Sequence, residues 1–230
     1  MRKILCLSLT AMLILFTGCS GGIEFDEETM EMVQLNEPVE GQDMAIITTN
    51  YGVIKVVLYP ERSPKAVENF VTLANEGYYD NQTVFGIEPS VYFMAGSPSE
   101  DGSDAKTITG KAIKVEWHQD LWPFKGALCA IGGKEGYFDS RYFFAGSVDI
   151  TEELTTGMKA NNYPQMAIDG FVKLGGVPAF AMSYTVLGQT IEGLDVLDKI
   201  LEVKNMDNEL KTPVDKIIIE KIEITTYQDN

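Results

Sequence analysis

The alternation of apolar and polar positions between Ala45 and Pro98 gives the clearest succession of elements in the chain. Ile46 to Thr49 and Val53 to Tyr59 are rich in β-formers. Asn50-Tyr51-Gly52 joins them, and Asn and Gly tolerate the positive φ of a tight hairpin. In the second run Val53, Lys55 and Val57 face one way and Ile54, Val56 and Leu58 the other. Both sets are mostly apolar, so the pattern predicts a strand with little water on either face. A helix follows, with Ser63 as the expected N-cap and Pro64 at the first helical position. Val67, Phe70, Val71 and Ala74 form its apolar stripe, and Gly77 is placed to end it in a left-handed conformation. Further on, Ile168, Phe171 and Val172 recur at helical spacing within 164–174, with Gly175-Gly176 as a stop. Leu194, Leu197 and Ile200 mark a short amphipathic helix, and residues 217–225 read as a closing strand. On pattern alone this is the hairpin-and-helix start of a barrel core.

Composition adds bounds. The 230 residues suit one sizeable domain, and a formal charge of −16 argues against binding nucleic acid or an anionic membrane surface through charge. Residues 1–18 have the form of an export signal: Arg2 and Lys3 lead a short apolar core, Ile4 to Phe16, too short to span a bilayer as a stable helix. Leu15-Phe16-Thr17-Gly18-Cys19 then resembles the lipobox of bacterial lipoproteins, although Leu is usual where Phe16 stands. That resemblance implies a lipidated Cys19, membrane anchorage through its lipid and an extracytoplasmic location; the alternative is a plain secretory signal. Residues 19–43 carry Glu24, Asp26, Glu27, Glu28, Glu31, Glu37, Glu40 and Asp43 with no Lys or Arg, and self-repulsion predicts an extended tether.

With Cys6 in the signal and Cys19 lipidated, only Cys129 remains, in an apolar ALCA context, so no intrachain disulfide is expected. His118, the one histidine, sits beside Trp117 in a loop pattern, which argues against a Ser-His-Asp hydrolase. No Cys/His set has metal-ligand spacing, so no metal is expected. Gly132-Gly133-Lys134-Glu135-Gly136 lacks the P-loop order and reads as a turn.

The string GVIKVVLYPERSPKAVENFVTLANEGYYDNQTVF closely resembles the opening of cyclophilin-type peptidyl-prolyl isomerases, and the likeness resumes at YTVLGQTIEGLDVLDKI, from Tyr184 to Ile200. It implies a closed eight-stranded antiparallel β-barrel capped by two helices, occupying residues 44–228 with a helical insertion at 146–174. It further implies peptidyl-prolyl isomerisation on exported proteins, proline-containing polypeptides as partners, and no cofactor. A monomer is expected.

The resemblance also places a substrate groove on the outer wall, lined by Phe85, Val91, Tyr92, Met94, Tyr142, Phe144, Phe180 and Tyr184. Here the chain departs from its family. After Phe85 the usual His-Arg pair is missing and the segment is one residue shorter. The family's Arg is held to donate toward the prolyl nitrogen. The family's two Gln positions fall on Met94 and Tyr142, and Trp, carried by many members, falls on Ala179. Phe144 is expected to be an apolar wall of the proline pocket. Arg141 is a candidate for the missing cation, although strand alternation about Phe144 turns it away. Two functional readings follow. One is a weak isomerase working by apolar capture of proline and desolvation of its amide. The other is a non-catalytic module gripping proline-containing or apolar segments, as an assembly factor or holdase. Solute capture would need a cleft between two lobes, and the pattern is that of one domain.

Overall fold

The computed structural model describes residues 24–229. The expected signal and Cys19 lie outside the described residues. β1 (Asp43–Thr49) and β2 (Gly52–Leu58) form the predicted hairpin, with Met44 opposite Val57 and Thr49 opposite Gly52. Gly52 is required at the turn. It has φ +137, and a Cβ there would lie 2.7 Å from Val196 Cγ2. α1 (Pro64–Asn75) follows. Its end is a Schellman motif: Gly77, at φ +69, donates to Ala74 O and Tyr78 donates to Leu73 O. Its start differs from expectation. The Ser63 hydroxyl donates back to Tyr59 O, and the N-terminal amide of Ala66 donates instead to Glu116 Oε2 at 2.9 Å. A carboxylate brought in from a distant loop thus caps the helix and complements its dipole.

The remaining elements are β3 (Gln82–Thr83), β4 (Gly86–Glu88), β5 (Tyr92–Ala95), β6 (Ile113–Lys114), β7 (Ala127–Ala130), β8 (Tyr137–Phe138), β9 (Tyr142–Ala145), α2 (Glu152–Ala160), α3 (Gln165–Leu174), β10 (Thr185–Glu192), α4 (Leu194–Leu201) and β11 (Ile218–Thr226). One curled antiparallel sheet of nine strands runs in the order β3-β11-β1-β2-β10-β7-β9-β5-β4, with β6-β8 a separate ribbon. The barrel is therefore broadly the expected one, but with nine strand segments rather than eight, and its ring is not completed by a ladder. The two outermost strands, β3 and β4, are separated in sequence only by Val84 and Phe85. Val84 donates to Ile217 O and Phe85 to Met94 O. One bent run, residues 82–88, thus serves both edges, and the chain itself joins the ring. The outer edge of β4 is covered by the loop before β11: Ile87 donates to Lys211 O, and Asn205 Nδ2 donates to Ile87 O.

Ile54, Val56 and Leu58 of β2 point into the barrel, where they meet Phe70 and Leu73 of α1 and Leu197 and Ile200 of α4. The opposite face of β2 is as dry as predicted at one end and wetter at the other. Val57 is buried, Lys55 pairs with Glu192 at 2.8 Å, and Val53 is 42% exposed. The segment 146–174 holds two helices rather than one. Thr151 caps α2 by accepting from Leu154 N–H at 3.1 Å. With α3, this helix packs over Trp122 and Phe124 in a second apolar layer.

From Glu24 onward the segment expected to extend as a tether is docked on the domain. Phe25 packs against Trp117 and Trp122, both at 5.7 Å between ring centroids, and Met30 and Met32 are buried. Arg62 accounts for part of the charge: it pairs with Glu31 at 2.8 Å and with Asp120 at 3.2 Å. Gln34 fixes the register. Its amide accepts from Trp122 N–H at 2.6 Å and donates to Trp122 O and to Gln189 Oε1, both at 2.8 Å. Burial of the apolar residues between the acids outweighs the repulsion that charge alone predicts.

Candidate functional site

The outer wall of the barrel is built where β5 and β9 pair, with Met94 opposite Phe143. On β5, Phe93 and Ala95 point inward, so Tyr92 and Met94 stand on the outer face. On β9, Phe143 is the outward residue. It meets Tyr184 at 5.1 Å, Phe180 at 5.4 Å and Tyr92 at 6.1 Å between ring centroids. Phe180, at the end of a 3-10 turn, closes the set against Tyr92 at 5.9 Å and Tyr184 at 5.5 Å. Mostly edge-on packing of this kind holds four rings in fixed orientation. Val91 joins the same apolar layer. Phe143 and Phe180 are buried beneath it, while Tyr92, Met94 and Tyr184 are partly open to solvent. Burial raises the Tyr184 hydroxyl above the ordinary phenol range, so it is a neutral donor at physiological pH.

Three of the residues expected in the groove, Phe144, Tyr142 and Phe85, lie elsewhere. Phe144 is inside the barrel, fully buried and stacked on Phe93 at 5.1 Å. Tyr142 is inside as well, edge-on to Phe70 at 5.7 Å and to Tyr79 at 5.5 Å. The expected register was one residue off. Because side chains alternate with period two, that shift exchanges the two faces of the strand. Phe143 takes the place assigned to Phe144. Phe85 is buried under Gly102, whose added Cβ would lie 2.7 Å from its ring.

The same shift turns Arg141 around. Ile131 N–H donates to Arg141 O, extending the ladder beyond β9, and Arg141 shares parity with Phe143 rather than opposing it. Its guanidinium is clamped: Nε donates to Asp139 Oδ1 at 2.9 Å, Nη2 to Asp139 Oδ2 at 2.5 Å and Nη1 to Gly102 O at 2.9 Å. The side chains are only 12% and 14% exposed for Arg141 and Asp139.

On β4, Gly86 stands opposite Met94 and Glu88 opposite Tyr92. A Cβ at Gly86 would approach Met94 Cε to 2.6 Å and Leu210 O to 2.8 Å, so Met94 fills the space on that strand. Glu88 pairs with Lys211 from the loop before β11. Phe143, Glu88 and Lys211 were not among the expected site residues. The first was legible in the parity of Arg141, a polar residue that a barrel interior rejects. The Glu88–Lys211 pair joins residues too far apart in sequence for local pattern to reveal.

A sequence model of the family described as "Cyclophilin type peptidyl-prolyl cis-trans isomerase/CLD" matches residues 44–224. Proteins named "Putative peptidyl-prolyl cis-trans isomerase" from Staphylococcus epidermidis and Staphylococcus aureus are 28% and 29% identical over 192 residues, covering 83% of this chain and 96% of theirs. The fold is also that of a solved Cryptosporidium parvum cyclophilin, crystallised in the presence of the dipeptide Ala-Pro. The TM-score is 0.60 at 23% identity, covering 81% of this chain and 99% of that one. A match over residues 44–224, on a curled antiparallel barrel with an aromatic outer wall, makes this chain a member of the cyclophilin-type peptidyl-prolyl cis-trans isomerase family.

Proposed function

We propose that this chain isomerises X–Pro bonds in exported polypeptides. The observation that carries the reading is the outer wall itself: Tyr92, Phe143, Phe180 and Tyr184 interlocked, with Tyr92 and Tyr184 partly open to solvent. A proline ring set on that wall leaves water, and its amide loses the hydration that favours the planar form. The barrier to be lowered is about 18–20 kcal/mol. Gly86 leaves β4 without the family's Arg, so turnover is slower than in members that keep it. The solved relative crystallised with Ala-Pro supports a proline-containing ligand here. A proline-isomerisation assay on a short X-Pro peptide tests the reading. Turnover above the uncatalysed rate, lost on competition with Ala-Pro, is expected, and the uncatalysed rate at saturating protein would refute it.

The second reading is a binding module without turnover. The filling of the Gly86 site by Met94 favours it, because no side chain from β4 reaches the wall there. Peptide binding without rate enhancement is its signature.

The location is part of the proposal. Cys19 carries a lipid and holds the domain outside the cell, as the export-signal pattern and the lipobox-like residues suggest. Metabolic labelling with palmitate, present in the parent chain and absent in Cys19→Ala, is the expected result. Label in both would overturn it.

A further inference from the structure

We infer that the docked N-terminal segment is a short leash that holds the Phe25 end of the domain facing the lipid surface; this rests on the lipid anchor at Cys19 proposed above. The family model begins at residue 44, so residues 24–43 lie outside the part of the chain it matches. They are nevertheless fixed to the barrel along their length. Phe25 sets its ring against Trp117 and Trp122, each at 5.7 Å between centroids. Asp26 N–H donates to Gln119 Oε1 at 3.0 Å, and Gln119 Nε2 donates back to Asp26 O at 3.3 Å. Glu31 N–H donates to Asp120 Oδ1 at 2.9 Å, and Gln34 closes on Trp122 and Gln189. Further on, Gly41 donates to Tyr227 O and Tyr227 donates to Gln42 O.

Docking changes how far the domain can stand from its anchor. Glu24 is five residues from Cys19. At about 3.3–3.6 Å per extended residue, that stretch spans at most about 18 Å, however it is arranged. Were residues 19–43 a free tether, the bound would be about 85 Å. Val33 packs against the apolar layer that holds Phe143 and Phe180. It is fourteen residues from Cys19, so the layer beneath the aromatic wall stays within about 50 Å of the anchor. Adhesion to lipid does not supply this closeness. Glu24, Asp26, Glu27 and Glu28 are exposed, and residues 24–43 contain no Lys or Arg, so this end is not drawn to anionic headgroups. Met30 and Met32 are spent on the domain itself, each only 6% exposed. Chain length alone keeps the domain close, and the wall works in the layer beside the bilayer rather than in the space beyond it.

Trp117 and Trp122 are the chain's two tryptophans and both touch Phe25, so their fluorescence reports on this end of the domain. The test places the lipid-bearing full chain in phosphatidylcholine vesicles containing a dansyl-labelled phosphatidylethanolamine. It measures energy transfer from tryptophan to the headgroup label. The comparison is a variant with about twenty Gly and Ser residues inserted between Ile23 and Glu24, which adds roughly 25 Å of r.m.s. length and leaves the docked residues untouched. Strong transfer in the parent, at least halved in the insert variant, is expected. Equal transfer in the two, whether strong or weak, would overturn the inference and leave the anchor standing. A parent that takes up no palmitate label and does not float with the vesicles would overturn the anchor and the inference together.

Discussion

Phe143 and Phe144 are adjacent in sequence and back to back in the fold. Phe143 stands in the outer aromatic wall against Tyr184 at 5.1 Å, and Phe144 stacks on Phe93 at 5.1 Å inside the barrel. Their truncations should separate function from stability. Phe144→Ala is expected to cost about 3–5 kcal/mol of unfolding free energy while the folded fraction binds proline peptide normally. Phe143→Ala should weaken peptide binding at least tenfold. Urea unfolding and calorimetric titration measure the two, and normal binding by Phe143→Ala would remove Phe143 from the site.

Gln34 pins the N-terminal segment through three bonds to Trp122 and Gln189. Gln34→Ala leaves the buried Trp122 amide and carbonyl without these partners, a loss of about 1–3 kcal/mol. The segment should then be cut by protease between residues 24 and 43 much faster than in the parent chain. Equal cutting rates would show that the apolar contacts of Phe25, Met30 and Met32 hold the segment by themselves.

Glu116 is the cap of α1, through the 2.9 Å bond from Ala66 N–H. Glu116→Ala is expected to lower stability by about 1 kcal/mol. The same loss from Ser63→Ala, with none from Glu116→Ala, would restore the local cap that the sequence pattern suggests.

Buried phenols make the fold sensitive to alkali. Burial alone pushes Tyr163 from 10.0 up to about 12, and burial is the main cause of the raised values of Tyr59, Tyr79 and Tyr142. The sign follows from linkage. Between pH 10 and about 12 the unfolded chain gives up these protons while folded Tyr163 keeps its own, so the unfolded state binds fewer protons and stability falls as pH rises. The contribution is whole below pH 10 and is lost as pH rises through about 12. Tyrosinate absorbance should therefore show these residues ionising together with unfolding. Ionisation near pH 10 with the fold intact would contradict the burial.

Much of the scaffold was legible because its signals are local. The β1–β2 hairpin, α1 with its glycine stop, α3, α4 and the last strand each have a periodicity or a breaker that acts within a few residues. The site was less so. Tyr142, Phe143 and Phe144 are all bulky aromatics, so alternation gives no clue to which faces water, and only pairing with β5 and β7 sets it. Family resemblance placed the strand but missed its register by one, which exchanged Phe143 with Phe144 and turned Arg141 the wrong way. The docking of residues 24–35 was hidden for another reason. Its acidic composition is conspicuous, whereas the few apolar side chains and the one amide that hold it find their partners some ninety residues away.

The loop that covers β4 restricts how a client can be held. Because Ile87 already has both its backbone groups engaged, by Lys211 and Asn205, a guest polypeptide cannot join the barrel there as an extra strand. A client held near this edge then has to be met by contacts other than a strand ladder along β4, and Tyr92, Met94 and Tyr184 are the partly open side chains of the neighbouring wall.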